Sequence, residues 1–299
     1  MSLVIVELER PEEVVKGRLS LVPLMDAVAQ ALHLLGHEVV RWHRSEILPD
    51  IGASHVFWWG CNVPRIQEIR AKRARMRTVY MEVGWTQERE HYLQMDEQGT
   101  GGNASWVDEP LMFTPAGPLA VRTDGDILVC LRYDGIRIAT DWRLTPYFSS
   151  NIQWVEHLVG CTDLPLRVRP HYASRRDRTN LILRRFNRRV TLDRSKSFSA
   201  AILMAKAVAV IDSTCGAQAM EVGLPVLCFG RQVFRQPGAV YCLTNEEEPT
   251  RQAFTELKEG RCSLDRGAVD AMLAKIWSHQ WPAWNVESLA HHIRQRFAL

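Results

Sequence analysis

The sequence predicts an α/β fold of two parallel-sheet domains whose strand ends face a cleft. Three observations carry this. Short apolar, β-branched runs alternate with segments of helical periodicity, the pattern of β-α-β units. That alternation starts twice, at Leu3 and again at Ile127. Between the two starts, Pro110 to Pro118 is a Pro- and Gly-containing junction, which sets domains of 1–116 and 117–299. A chain of 299 residues, 46% hydrophobic, is long enough for two modest cores.

In the first half, Leu3–Leu8 reads as a strand, Leu21–Leu35 as a helix closed by Gly36, and Glu38–Trp42 as a second strand. No glycine-rich fingerprint follows the first strand, which argues against an NAD-binding domain. Val56–Trp59 is a third strand ending at Gly60, Ile66–Arg77 a strongly basic helix, and Thr78–Val83 a fourth strand. The fourth strand delivers Glu82, Gly84 and Trp85 to its C-terminal end, the edge where open α/β sheets bind ligands. Gln87, Tyr92 and Asp96 follow, then a loose G-T-G-G-N-A-S run over Gly99–Ser105 that suits either a lid or a solvent loop.

In the second half, Asp124, Gly125 and Asp126 read as a turn, because this D-x-D precedes a strand where a metal-nucleotide signature would end one. Ile127–Arg132 is a strand, followed by a turn at Asp134 and Gly135. Ile152–Val159 is a helix, Leu166–Arg169 and Val190–Leu192 are short strands, and Ala200–Ala207 is an apolar helix preceded by Ser195, Ser197 and Ser199. Ala207–Arg231 is the most informative stretch. Ala207–Ile211 is a buried parallel strand that stops at Asp212, Ser213, Thr214, Cys215 and Gly216; a helix runs to Val222, Gly223 ends it, and Leu224–Phe229 is the next strand. Ser213 or Thr214 caps that helix and Gly216 permits close approach to its backbone, so the turn suits an anion, most often a phosphate. From Leu264 the tail reads as two amphipathic helices broken around Trp281, Pro282 and Trp284, with these aromatics read as core in preference to a stacking platform.

Charge is concentrated. Eleven Lys and Arg lie between Arg167 and Lys196 against Asp177 and Asp193, while the whole chain carries only +3. The cluster is either a solvated face or an anion-binding wall. Arg65, Arg70, Lys72, Arg73, Arg75 and Arg77 form a second cluster. Seven cysteines with no C-x-x-C pair read as free thiols. No signal-peptide pattern or spanning apolar run is evident, which together with the thiols predicts a cytoplasmic protein.

The run D-S-T-C-G-x-Q-A-M-E-V-G-L-P-V-x-x-F-G-R, followed by Phe234, Pro237, Gly238 and Ala239, resembles the donor half of GT-B glycosyltransferases, which have two Rossmann-like domains. It is most similar to the capsule-polysaccharide, Kdo-transferase-like group. R-V-R-P-H, ending at His171, resembles that group's R-P-H-P segment, with Tyr172 in place of the second proline. The E-x-G-W stretch from Glu82 resembles its N-terminal half. The similarity is good over Leu164–Leu243 and thinner elsewhere.

The resemblance implies transfer of a sugar from a nucleotide-sugar with no obligatory metal. Arg169, His171, Ser195, Ser197, Ser213, Thr214, Gly216, Glu221 and Arg231 are its implied donor-binding residues. Glu82 or Asp96 would take the acceptor's proton, and Trp85 and Gln87 would face the acceptor. The implied acceptor is a glycan or glycolipid. The two basic clusters leave a second acceptor open, a hydroxymethylated base in phage DNA held by Arg73 and Arg75. A nucleotide-sugar 2-epimerase and a non-catalytic nucleotide- or glycan-binding module are the alternatives. The last helix is expected to pack back toward the first domain.

Overall fold

The structure is a computed structural model that describes residues 2–7, 22–60, 63–132, 147–171 and 176–299. Leu8, Leu21, Cys61, the turn at Asp134 and Gly135, Tyr172 and Arg175 lie outside the described residues, as do the side chains of Arg176 and Arg178. In chain order the elements are β1 (Leu3–Glu7), α1 (Val22–Leu34), β2 (Glu38–Trp42), β3 (His55–Trp59), α2 (Arg65–Arg73), β4 (Arg77–Val83) and β5 (Tyr92–Asp96). There follow β6 (Asp126–Cys130), α3 (Asn151–Cys161), β7 (Leu166–Arg169), α4 (Arg176–Arg185), β8 (Val190–Leu192), α5 (Phe198–Ile202) and β9 (Ala205–Val210). Then come α6 (Cys215–Glu221), β10 (Val226–Cys228), β11 (Tyr241–Cys242), α7 (Glu247–Lys258), α8 (Arg266–Trp277), β12 (Trp281–Pro282) and α9 (Val286–Phe297).

Two compact units result, Met1–Thr100 with Trp277–Leu299, and Gly101–Ile276. The division therefore lies at Thr100/Gly101 and not at 116/117. Pro110–Pro118 is stitched into the second unit: Ala116 N and Gly117 N donate to the Asp265 carboxylate at 3.1 and 3.2 Å, and Leu119 N donates to Leu264 O at 2.8 Å.

In the first unit the sheet order is β12-β5-β4-β3-β1-β2. β1 to β4 run parallel, β5 runs antiparallel to β4, and β12 antiparallel to β5, hence in the direction of the first four. Alternation along the strands splits the apolar residues between two faces. Val4, Val6, Phe57, Val79 and Met81 pack on one side with Leu32 of α1 and Leu289, Ile293 and Phe297 of α9. Ile5, Val56 and Trp58 pack on the other with Ala71 of α2. β5 was legible only as a source of polar residues. The Gly99–Ser105 run is no open loop, since Thr100, Gly102 and Ala104 are buried around a 3₁₀ turn at Gly101–Asn103.

The second unit's sheet, β11-β10-β9-β6-β7-β8, is wholly parallel. Read from β8, it has the 3-2-1-4-5-6 order of a dinucleotide-type sheet, and the order reverses between β6 and β9. The expected helix over Ala200–Ala207 shrinks to α5, because β9 begins at Ala205 and pairs on both sides. Tertiary ladder bonds override the helix propensity of its alanines.

Candidate active site

The switch point of the second sheet is built from the residues that follow β6 and β9. Arg132 Nε pairs with Asp212 Oδ2 at 2.9 Å, joining the two strand ends. Asn151, the first residue of α3, clamps the Arg132 backbone: its Oδ1 accepts from Arg132 N at 3.0 Å and its Nδ2 donates to Arg132 O at 2.7 Å. The hydrogen-bonded Cys215 thiol, together with burial, holds the Cys130 thiol well above its ordinary range. No disulfide links the described cysteines.

Beyond β10 lies a cleft of about 430 Å³ lined by Asp108, Tyr147, Arg231, Gln232, Arg235 and Gln236, among others. Gln232 ties it to the switch point, donating from Nε2 to Asp212 O at 2.8 Å. Arg231 is ion-paired with Asp108 at 2.6 Å, both well exposed. Arg235 donates from Nη2 to Leu243 O at 2.8 Å, while its buried Nε meets no acceptor among the described residues. Arg235 thus lends a cation to the lining of the cleft, which suits an anionic oxygen.

The Ser213–Gly216 turn is more closed than its sequence suggests. Ser213 Oγ accepts from Cys215 N at 3.2 Å, and Thr214 is the N-cap residue of α6. A Cβ on Gly216 would lie 2.3 Å from Phe234 Cζ, so the close approach this glycine permits is that of the buried Phe234 ring, not of a ligand. Glu221 is the last residue of α6 and is half-buried.

Across the switch point, Arg169 ends β7 with His171 two residues beyond it, and Ser195 and Ser197 follow β8, all at the same C-terminal edge. The expected basic wall is in part a neutralised network. Asp193 accepts from Arg167 Nη1 at 2.6 Å, from Arg169 Nη1 and from Ser195 Oγ at 2.7 Å. Burial alone would raise its carboxyl, but these bonds hold it below the usual carboxylate range. Arg167 is itself buried and forked onto Asp126, so the D-x-D is a structural turn whose second carboxylate is spent on that ion pair. Ser197 Oγ caps α5, accepting from Ala200 N at 3.1 Å. His171 is half-buried.

In the first unit the ligand edge is formed by the ends of β1, β3 and β4. The Glu7 carboxylate, 2% exposed, accepts from Arg44 Nε and from Trp59 N, the latter at 2.8 Å. Arg44 also donates to Trp59 O at 2.6 Å. Glu82 lies over the end of β3, its Oε2 3.5 Å from where a Cβ of Gly60 would stand. Burial raises the Glu82 carboxyl above its ordinary range, against the opposing charges of Arg89 and Arg44.

Four residues of the first unit stand elsewhere than expected. Asp96 pairs with Tyr80, because the antiparallel β5 carries it three residues back from the edge, roughly 10 Å. It is buried there, accepting from Arg296 Nη2 at 3.1 Å and Gln98 N at 2.8 Å, which leaves it a structural ion pair in place of a base. Trp85 is 1% exposed and cannot stack an acceptor. Arg73 and Arg75 sit where α2 turns into the start of β4, at the opposite edge of the sheet from Glu82. Gln87 is exposed near the ligand edge.

A β-Kdo 2,7-transferase, KpsC of Thermosulfurimonas dismutans, superposes on this chain with a TM-score of 0.53 at 14% identity, covering 96% of this chain and 99% of the other. A β-Kdo 2,4-transferase of the same organism and name aligns at TM-score 0.50 and 13% identity over 90% and 89%. The fold is GT-B. A UDP-GlcNAc 2-epimerase of Methanocaldococcus jannaschii aligns less well, at TM-score 0.41 and 10% identity over 93% and 99%. No protein-family profile and no curated protein matches the sequence of this GT-B chain.

Sequence reasoning missed Arg132, Gln232 and Arg235 in the GT-B second unit, and Glu7 with Arg44 in the first. Arg235 had a signal, lying within the G-R…P-G loop between Arg231 and Pro237. Glu7 and Arg44 had none, since their pairing depends on β1 lying beside β3. Among the described residues, no helix is long and apolar enough to cross a membrane.

Proposed function

We propose that the chain is a glycosyltransferase moving a sugar from a nucleotide-sugar to a hydroxyl of a glycan or glycolipid. The observation that carries the reading is a cleft lined by Arg231 and Arg235 and tied by Gln232 to the switch point of a 3-2-1-4-5-6 sheet. Such a sheet binds nucleotides at that point, and a leaving phosphate needs fixed donors aimed at its developing charge. Arg235 and Arg231 supply them from the β10 side. His171, Ser195, Ser213 and Thr214 lie along the same edge for the rest of the donor, with Arg169 and Ser197 holding the loops that carry them. Glu221 is assigned a sugar or ribose hydroxyl.

Glu82 is the base. Burial leaves its carboxylate more basic than a solvated one, which suits it to take a hydroxyl proton near neutrality. The guanidinium groups meet the phosphate charge without an obligatory metal, so EDTA is expected to leave the rate unchanged.

The test is a thermal-shift screen of UDP-, GDP-, CMP- and dTDP-sugars, followed by nucleotide release with glycan acceptors. One donor should stabilise the protein, and Arg235→Ala should abolish that shift. If no nucleotide-sugar stabilises the wild-type protein, the donor site is misassigned.

A further inference from the structure

The aromatics of the C-terminal segment divide into two kinds. Trp281 is half-buried and stacks on His292 with ring centroids 3.3 Å apart. Trp284 and Trp277, by contrast, are 64% and 40% exposed, contrary to the core role their sequence suggests. The Tyr92 ring stands between them, at 5.1 Å from Trp277 and 5.2 Å from Trp284, nearly perpendicular to both, and His91 flanks Trp284 at 6.2 Å. Backbone pairing fixes the group. β12 sets Pro282 opposite Tyr92, and Ala283 N donates to His91 O at 2.9 Å, so Trp284 is anchored within two residues of a ladder.

The placement of this cluster relative to Glu82 gives it chemical meaning. A Cβ on Gly84 would lie 2.8 Å from the Tyr92 Cβ, so Tyr92 lies against the end of β4. Glu82 pairs with Gln94, two residues along β5 from Tyr92. Residues two apart on a strand share a face, which puts Tyr92 at the diagonal of Glu82, about 7–8 Å away. The adjoining run Gln87–His91 sets Glu88 and Glu90 beside Arg89, a rim with no cationic excess.

We propose that Trp284, Tyr92 and Trp277 form a stacking platform for a sugar ring of a glycan acceptor, next to the ring whose hydroxyl Glu82 deprotonates. This rests on the assignment of Glu82 as the base. An exposed indole presents a flat apolar face with a polar N–H edge, which matches a pyranose with its C–H face and hydroxyl rim. A nucleic acid or an anionic membrane surface would call for an excess of cations around the rings, whereas the adjoining run sets one Arg against two Glu.

The test uses the whole chain on an array of capsular and lipopolysaccharide oligosaccharides, then titrates the tightest of them while following tryptophan emission. We expect a blue shift and protection from acrylamide on binding. Affinity should fall about tenfold or more in Trp284→Ala and in Trp277→Ala, and be largely restored in Trp284→Tyr. In transfer assays the acceptor KM should rise more than kcat falls. Circular dichroism of each variant checks that the fold is kept.

Several results overturn the proposal: no array binding, equal affinity in Trp284→Ala, binding of a single-stranded oligonucleotide or anionic vesicles that Trp284→Ala abolishes, or a self-association lost in that variant. Nucleotide-sugar stabilisation of the wild-type protein separates the two readings. If it is absent while glycans bind through Trp284, the transferase reading falls and the rings stand as a glycan-binding platform alone. If it is present while Trp284→Ala binds glycans normally, the platform falls alone.

Discussion

At the scale of single residues, the two carboxylates that the sequence offered as equals are set apart by their strands. Glu82→Gln should lower transfer by roughly a hundredfold or more with the donor thermal shift intact, as expected when a general base is lost. Asp96→Asn should instead leave the rate nearly unchanged and cost about 1–3 kcal/mol of stability in urea unfolding, because it strips the partner from Arg296. The pH–rate profile carries a further check. The base works deprotonated and burial raises its carboxyl, so the acid limb of kcat/KM should lie above the ordinary carboxylate range. Arg44→Met, which removes a charge favouring the carboxylate, should move that limb higher still.

At the scale of elements, α6 and the loop after β10 act as one piece through the Gly216–Phe234 contact. Gly216→Ala should cost about 1–3 kcal/mol, the usual range for overpacking a filled core. Phe234→Leu in the same chain should recover part of that loss, measured as a double-mutant cycle. The strand–turn–helix–strand unit around this contact was readable because β-branched runs and glycine stops are local signals. Its chemistry was less so. The same glycine pattern serves a phosphate or a phenyl ring, and only the chain returning at Phe234 decides between them. Likewise Arg167 and Arg169 looked like free cations, since the sequence does not reveal that β8 brings Asp193 against both.

At the scale of the whole molecule, the imidazoles with lowered proton affinity are unevenly shared. Burial depresses His55 to about 4 and His292 to about 3, and also lowers His37, all in the first unit; in the second, His157 is lowered. A buried neutral His takes up its proton on unfolding, so stability is full above the unfolded value near 6.5 and declines as pH falls toward about 4. Calorimetry should therefore show the first unit's transition moving down between those limits, ahead of the second's, and a simultaneous shift of both would contradict this. The two-unit α/β plan was legible from its alternating runs, but the place where the units divide was not, because the Asp265 contacts that hold Ala116 and Gly117 come from a segment far along the chain. The division has a kinetic side. The second unit is one uninterrupted stretch, Gly101–Ile276, while the first recruits β12 and α9 from beyond it. On the ribosome the later-numbered unit can thus close first, and the earlier one must wait, with one face of its sheet uncovered, until Leu289, Ile293 and Phe297 emerge.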